Sequence, residues 1–123
     1  MTEHLELGNW GERIAADFLS AKRWKILEKN LRLKRGEIDI VAMDGKELVV
    51  VEVRTRTIGR VLPPEATVGP RKLSKLIRSG EEYVQKNNWQ GPWRIDLVAI
   101  TINNDNSWDI GHFTDISCGE FPS

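Results

Sequence analysis

Two apolar runs flanking Asp44-Gly45 constrain this chain more than any other feature. They read Glu37-Ile38-Asp39-Ile40-Val41-Ala42-Met43 and Leu48-Val49-Val50-Val51-Glu52-Val53-Arg54. Asp-Gly between such runs is the strongest short-range hairpin signal a sequence carries. With Asp44 and Gly45 as the turn, Met43 pairs with Lys46, Asp39 with Val50 and Glu37 with Glu52. Side chains alternate across a strand, so Glu37, Asp39, Glu52 and Arg54 share one face. Asp39 and Glu52 become diagonal neighbours with Cβ atoms roughly 7 Å apart, a separation that lets two carboxylates grip one cation. The opposite face (Ile38, Ile40, Ala42, Val49, Val51, Val53) is continuously apolar and is expected to be core. Acids gathered on a central hairpin cost stability unless a cation or a base neutralises them. A lone Glu-x-Arg on a strand is usually an edge salt bridge. Three acids and a base on one face ask for more.

The elements around the hairpin follow from periodicity. Trp10, Ile14 and Phe18 repeat every four residues, with Ala15 and Leu19 beside them, which predicts a helix over about Trp10–Lys22 with an earlier start near Thr2 open. A short strand is expected at Lys25–Lys29, then a turn rich in Arg and Lys up to Gly36. Thr55 to Gly69 is a long connection, of the kind that is usually functional in a compact domain. Pro70 suits the first position of a second helix running to about Lys86. Strands are expected at Trp93–Ile102 and Trp108–Phe113, joined by the turn Asn103–Ser107. The order α-β-β-β-α-β-β describes an α/β fold with a mixed central sheet flanked by helices. The passage from the hairpin through the second helix favours a parallel crossover.

Bulk properties narrow the class. The 123 residues suit one domain, with 29% charged and 40% hydrophobic residues, as in soluble globular proteins. No apolar run approaches the ~20 residues of a membrane span, and no signal-peptide pattern opens the chain. Cys118 is the single cysteine, which leaves no internal disulfide and no cysteine metal site. A cytoplasmic location is the expectation, with no membrane partner. The net charge of zero hides an asymmetry. From Lys22 to Arg78 there are 15 Lys/Arg against 7 Asp/Glu, whereas from Ile95 onward there are five acids and no Lys or Arg. A basic block around a small acidic pocket suits a metal-dependent enzyme acting on a polyanion. A solvated charged surface is the plainer alternative.

Asp, about a dozen residues, then Glu-x-Lys is the pattern of the PD-(D/E)XK nuclease site, and here Asp39, Glu52 and Arg54 take the three places. Two carboxylates there hold Mg²⁺ or Mn²⁺, and a cation beside them steadies developing negative charge. As a bare motif this is weak; its position on a hairpin strengthens it. A wider match is more specific. The segments Gly11-Glu12-Arg13-Ile14-Ala15, Ile26-Leu27-Glu28-Lys29-Asn30, Arg35-Gly36-Glu37-Ile38-Asp39-Ile40-Val41-Ala42, Val51-Glu52-Val53-Arg54-Thr55-Arg56, Ala66-Thr67-Val68-Gly69-Pro70-Arg71-Lys72 and Arg94-Ile95-Asp96-Leu97-Val98 occur in that order. Over nearly its whole length, the chain resembles the bacterial YraN-like family, relatives of the archaeal Holliday junction resolvases. The resemblance implies a single PD-(D/E)XK nuclease-like domain over residues 1–123, with a restriction-endonuclease-like αβββαβ core. It also implies DNA, branched DNA included, as partner, and structure-directed cleavage as the activity. Its catalytic pattern falls on Glu12, Asp39 and Glu52 as metal ligands, and resolvase relatives make a homodimer the expectation. One departure stands out: Arg54 replaces the usual lysine. Arginine is a permanently charged fork, able to bind phosphate but a poor base. A nucleic-acid-binding or protein-interaction module with little or no catalysis is therefore the alternative.

Other residues carry competing readings. Asn9-x-x-Glu12 has the spacing of a capping box, which rivals the metal role of Glu12. Glu37 either supports the site from behind or pairs with Lys34 or Arg35. Lys72 and Lys75 lie opposite the apolar stripe of the second helix and, with Arg35, Arg56 and Arg60, are candidates for phosphate contact. Asp96 is expected to pair with Arg56 or Arg94. His4 and His112 lack metal-site spacing, and the five tryptophans read mostly as core or core edge.

Overall fold

A computed structural model describes residues 3–58 and 68–117, with side chains from residue 9 onward. Its elements are α1 (Glu3–Ala21), β1 (Lys25–Leu33), β2 (Gly36–Asp44), β3 (Glu47–Thr57), α2 (Pro70–Lys86), β4 (Trp93–Ile102) and β5 (Trp108–Phe113). The five strands form one sheet in sequence order. All neighbours are antiparallel except β3 and β4, which run parallel through the α2 crossover. This mixed α/β arrangement is the expected one and is consistent with a restriction-endonuclease-like core.

The helices cover opposite faces of the sheet. On one face Ala15, Ala16 and Leu19 of α1 pack with Ile40, Ala42, Val49, Val51, Val98 and Ile100. On the other, Leu76 and Tyr83 of α2 pack with Val41, Leu48, Val50, Ile95 and Leu97. The central strands are thus buried on both sides, which explains the near-continuous apolar run Leu48–Val51. Fully burying each such Val, Leu or Ile contributes about 1.5–3 kcal/mol. Only one core face was expected on the hairpin, and the second is a correction.

Three further expectations change. The turn is Gly45-Lys46, since Asp44 pairs with Glu47 and Met43 with Leu48. Gly45 takes a positive φ of 61° as the first of the two loop residues, the place a type II′ turn reserves for glycine. The register moves by two residues, so side-chain parity is kept, and its continuation sets Asp39 directly opposite Glu52. Secondly, β1 extends to Leu33, so the basic turn shrinks to Lys34-Arg35. Thirdly, Ile38 packs on the α2 face although Ile40 packs on the α1 face. The physical cause is a break in alternation at Asn30 and Asp39. Asn30 has φ 51°, a left-handed conformation that asparagine tolerates, and it lies between the pairs Lys29–Ile40 and Leu31–Ile38. Among the described residues, no helix is long and apolar enough to cross a membrane.

Candidate functional site

The break at Asp39 creates the site. Ladder pairing of β2 with β3 ends at Ile40–Val51. One step further, Val53 donates its N–H to Asp39 Oδ2 at 2.9 Å instead of to a backbone carbonyl. The carboxylate of Asp39 is therefore drawn between the strands, with one oxygen fixed.

Two more carboxyls meet it there. Glu52 arrives from β3 and is 4% exposed. Glu12 arrives from α1, whose axis lies close to β3: at Gly11 any Cβ would collide with Thr55 Oγ1. Because α1 begins at Glu3, Asn9 and Glu12 are interior helix residues, which removes the capping-box reading. Asn30 and Asp39 are the polar neighbours of Glu12. Even so, Glu12 Oε1 is buried with no hydrogen-bond partner among the described residues.

The electrostatics follow from this crowding. Burial, then the charge of Asp39, pushes Glu52 up to about 7, against the opposing pull of Lys72 and Arg54. Burial and Asp39 likewise raise Glu12. Asp39 is the charged neighbour common to both glutamates. The contacts run pairwise through Asp39. Among the described residues, no three His, Cys, Asp or Glu side chains already form a ligand shell.

Cations frame the cluster. Arg54 Nε lies 2.9 Å from Glu52 Oε2, but its N–H is not aligned with that oxygen, so the contact is one of charge. Lys72 Nζ reaches the same oxygen from α2 at 3.5 Å. Lys72 thus points to the hairpin acids rather than simply outward, as its helix position suggested. Arg56 lies two residues beyond Arg54 on β3, half-buried, with its Nε also lacking a partner among the described residues.

The other candidates make no hydrogen bond or ion pair with the three acids among the described residues. Glu37 pairs with its cross-strand neighbour Arg32 at 3.0 Å, and both are exposed. Its charge adds to the rise of Glu12, and neither Lys34 nor Arg35 is its partner. Lys75 and Arg35 are exposed, with no ion pair among the described residues. The Lys34-Arg35 turn is tied to α2: Lys34 and Arg35 donate their backbone N–H groups to the carboxylate of Glu82 at 3.1 and 2.9 Å. Arg60, the side chain of His4 and Cys118 lie outside the described residues.

A second polar cluster lies on the α1 face, where Asp96 pairs with Arg94, as expected, and also with His112 and Asp115, which sequence reasoning missed. Asp96 is fully buried; it accepts from Arg94 Nε at 2.9 Å and from the Asp115 N–H at 2.9 Å, and contacts His112 Nε2 at 2.8 Å. Arg94 also binds Asp44 and Glu47 beside the hairpin turn. Burial pushes the Asp96 carboxyl up, but these bonds outweigh it and hold it below the usual range. Every group in this cluster has a partner, so it reads as a structural strut. The alternating pattern of Arg94-x-Asp96 on one strand was the available signal.

Comparison with known proteins gives the lineage. The model of the family described as "Uncharacterised protein family UPF0102" matches residues 11–100, which span Glu12, Asp39, Glu52, Arg54 and Lys72. The UPF0102 protein of Dehalococcoides mccartyi is 45% identical over 100 residues, 80% of this chain and 82% of that protein. The one from Cytophaga hutchinsonii is 42% identical over 80% of this chain and 88% of its own length. That of Christiangramia forsetii is 36% identical over 94% and 96%. The matches bear out the family level of the resemblance, and the chain belongs to the UPF0102 family.

Proposed function

We propose that this protein is a metal-dependent, nuclease-fold protein that binds DNA, branched DNA included, and hydrolyses its phosphodiester bonds. The observation that carries the proposal is the meeting of Glu12, Asp39 and Glu52, two of them held above the normal carboxylate range by burial and by Asp39. Such a set is unfavourable alone and is relieved by a divalent cation. Oxygen donors of this kind suit Mg²⁺ or Mn²⁺, and Glu12 Oε1, with no partner among the described residues, supplies one. When bound, the ion would polarise the phosphoryl oxygen and lower the pKa of an attacking water.

The protein's own groups have separable tasks. Val53 N–H fixes one oxygen of Asp39 and orients the other. A guanidinium binds phosphate as a fork and is a poor base, so Arg54 stabilises charge on phosphate. Arg56, Lys72, Lys75, Arg35 and Arg60 supply positive charge for the DNA backbone. A homodimer, by analogy with resolvases, is part of the same proposal.

A second reading has an observation of its own. Arg54 stands where the nuclease motif has lysine, and both nearby cations lean on one oxygen of Glu52. That favours a DNA-binding module with weak catalysis. Cleavage of linear, flapped and four-way-junction DNA with Mg²⁺ or Mn²⁺ separates the two. The enzyme reading expects ion-dependent cleavage that is lost in Asp39→Asn. Binding without cleavage, with cleavage appearing in Arg54→Lys, supports the module. No binding to any of the DNA forms at ~50 mM salt removes both readings, because phosphate contacts should be strong there.

A further inference from the structure

We propose that Lys72 is a metal-released phosphate contact: Glu52 holds its ammonium until a divalent ion takes that carboxylate, and Lys72 then turns to the DNA backbone. The inference rests on the proposed function and specifies how its site couples ion to DNA. Lys72 Nζ is 3.5 Å from Glu52 Oε2, beyond the usual hydrogen-bond range, and its side chain is 39% exposed. The tether is thus a loose charge contact with room to move. Arg54 contacts the same oxygen at 2.9 Å and projects from the same strand as Glu52, so it is the more fixed of the two cations.

The local setting of Lys72 also calls for an anion. It lies in the first turn of α2, where the helix dipole is positive and acids are the favoured residues. That turn contains no acid, and Gly69 makes no side-chain cap. Glu52 is the described carboxylate in salt-bridge contact with Lys72. An ion drawing Glu52 into its coordination shell would leave Lys72 beside helix charge of its own sign. A phosphate oxygen is the anion the substrate brings to that position. A flexible four-carbon stem carrying a compact charge suits the move, whereas a guanidinium built into the strand does not.

The test measures DNA affinity by fluorescence anisotropy, with and without Ca²⁺ or Mn²⁺, on a phosphorothioate four-way junction that resists cleavage. Natural protein is expected to bind about tenfold more tightly with the ion, a gain of the size of one charge-assisted phosphate contact. Lys72→Gln should lose most of that gain. Lys72→Arg should restore part of it, and Arg54→Gln should keep it. Calorimetric Mn²⁺ binding by each variant, without DNA, checks that the fold and the carboxylates are intact, and Lys72→Gln should bind Mn²⁺ at least as tightly as natural protein. If Lys72→Gln binds Mn²⁺ yet keeps the full gain, this inference is wrong and the proposed function stands. If natural protein binds no Mn²⁺, the proposed function fails and the inference falls with it.

Discussion

Replacing Glu52 by glutamine should make stability markedly less dependent on pH in a window where the natural protein is sensitive. Glu52 sits at about 7 in the folded chain against an ordinary 4.5. Between those values the folded state holds a proton that the unfolded state releases, so stability falls as pH rises. The loss from this one group is under about 1 kcal/mol at pH 5 and on the order of 3 kcal/mol at pH 8. Glutamine keeps the shape and has no proton to lose. Lys72 and Arg54 are partly exposed, so water takes up their charges in the variant. Relative to natural protein, Glu52→Gln should therefore gain about 2–3 kcal/mol between pH 5 and pH 8. Urea unfolding in chelator, followed by tryptophan fluorescence, measures it; the chain has five tryptophans. Added Mg²⁺ should flatten the slope of the natural protein by neutralising the same carboxylates. Parallel stability curves for the two proteins from pH 5 to pH 8 would refute the idea that Glu52 ionises against burial and Asp39.

Further expectations concern other parts of the molecule. Asp96→Asn should destabilise by about 3–5 kcal/mol, because it strips a buried charge from Arg94 and His112, while Mn²⁺ affinity stays unchanged in calorimetry. Gly11→Ala should cost about 1–3 kcal/mol in urea unfolding and also weaken Mn²⁺ binding, since it drives α1 and Glu12 away from Thr55 and Asp39. Charge reversal of Arg35 and Lys75 should weaken binding to all DNA sequences alike and reduce the salt dependence of affinity by roughly one phosphate contact each. Unchanged salt slopes would remove that surface from the interface.

The hairpin shows how far residues alone reach. Strand parity is insensitive to a two-residue shift, so the shared side of Asp39 and Glu52 was legible even though the turn was placed one residue early. What decided the turn was which loop position Gly45 occupies, and Asp-Gly does not specify it. The second core face on the hairpin was hidden because Val41 and Val50 follow both an alternating and a continuous pattern. The break at Asn30 and Asp39 was hidden too, since a left-handed asparagine inside a strand leaves no periodic trace. That break draws the Asp39 carboxylate between β2 and β3. The contact of Lys72 with Glu52 depends on how α2 sits over the sheet, a tertiary fact beyond helix spacing. The family resemblance singled out Glu12, and the early start of α1 then removed its capping alternative.

The central claim is that Glu12, Asp39 and Glu52 form one divalent-ion site. Mn²⁺ titration by calorimetry at pH 6, repeated in buffers of different ionisation heat, tests it most directly. At that pH a carboxyl near 7 is about nine-tenths protonated, so binding should release close to one proton per ion from Glu52. The account expects one ion per chain, that proton release, and loss of both in Asp39→Asn. Saturable Mn²⁺ binding that survives Asp39→Asn, or no binding at millimolar Mn²⁺, would contradict it.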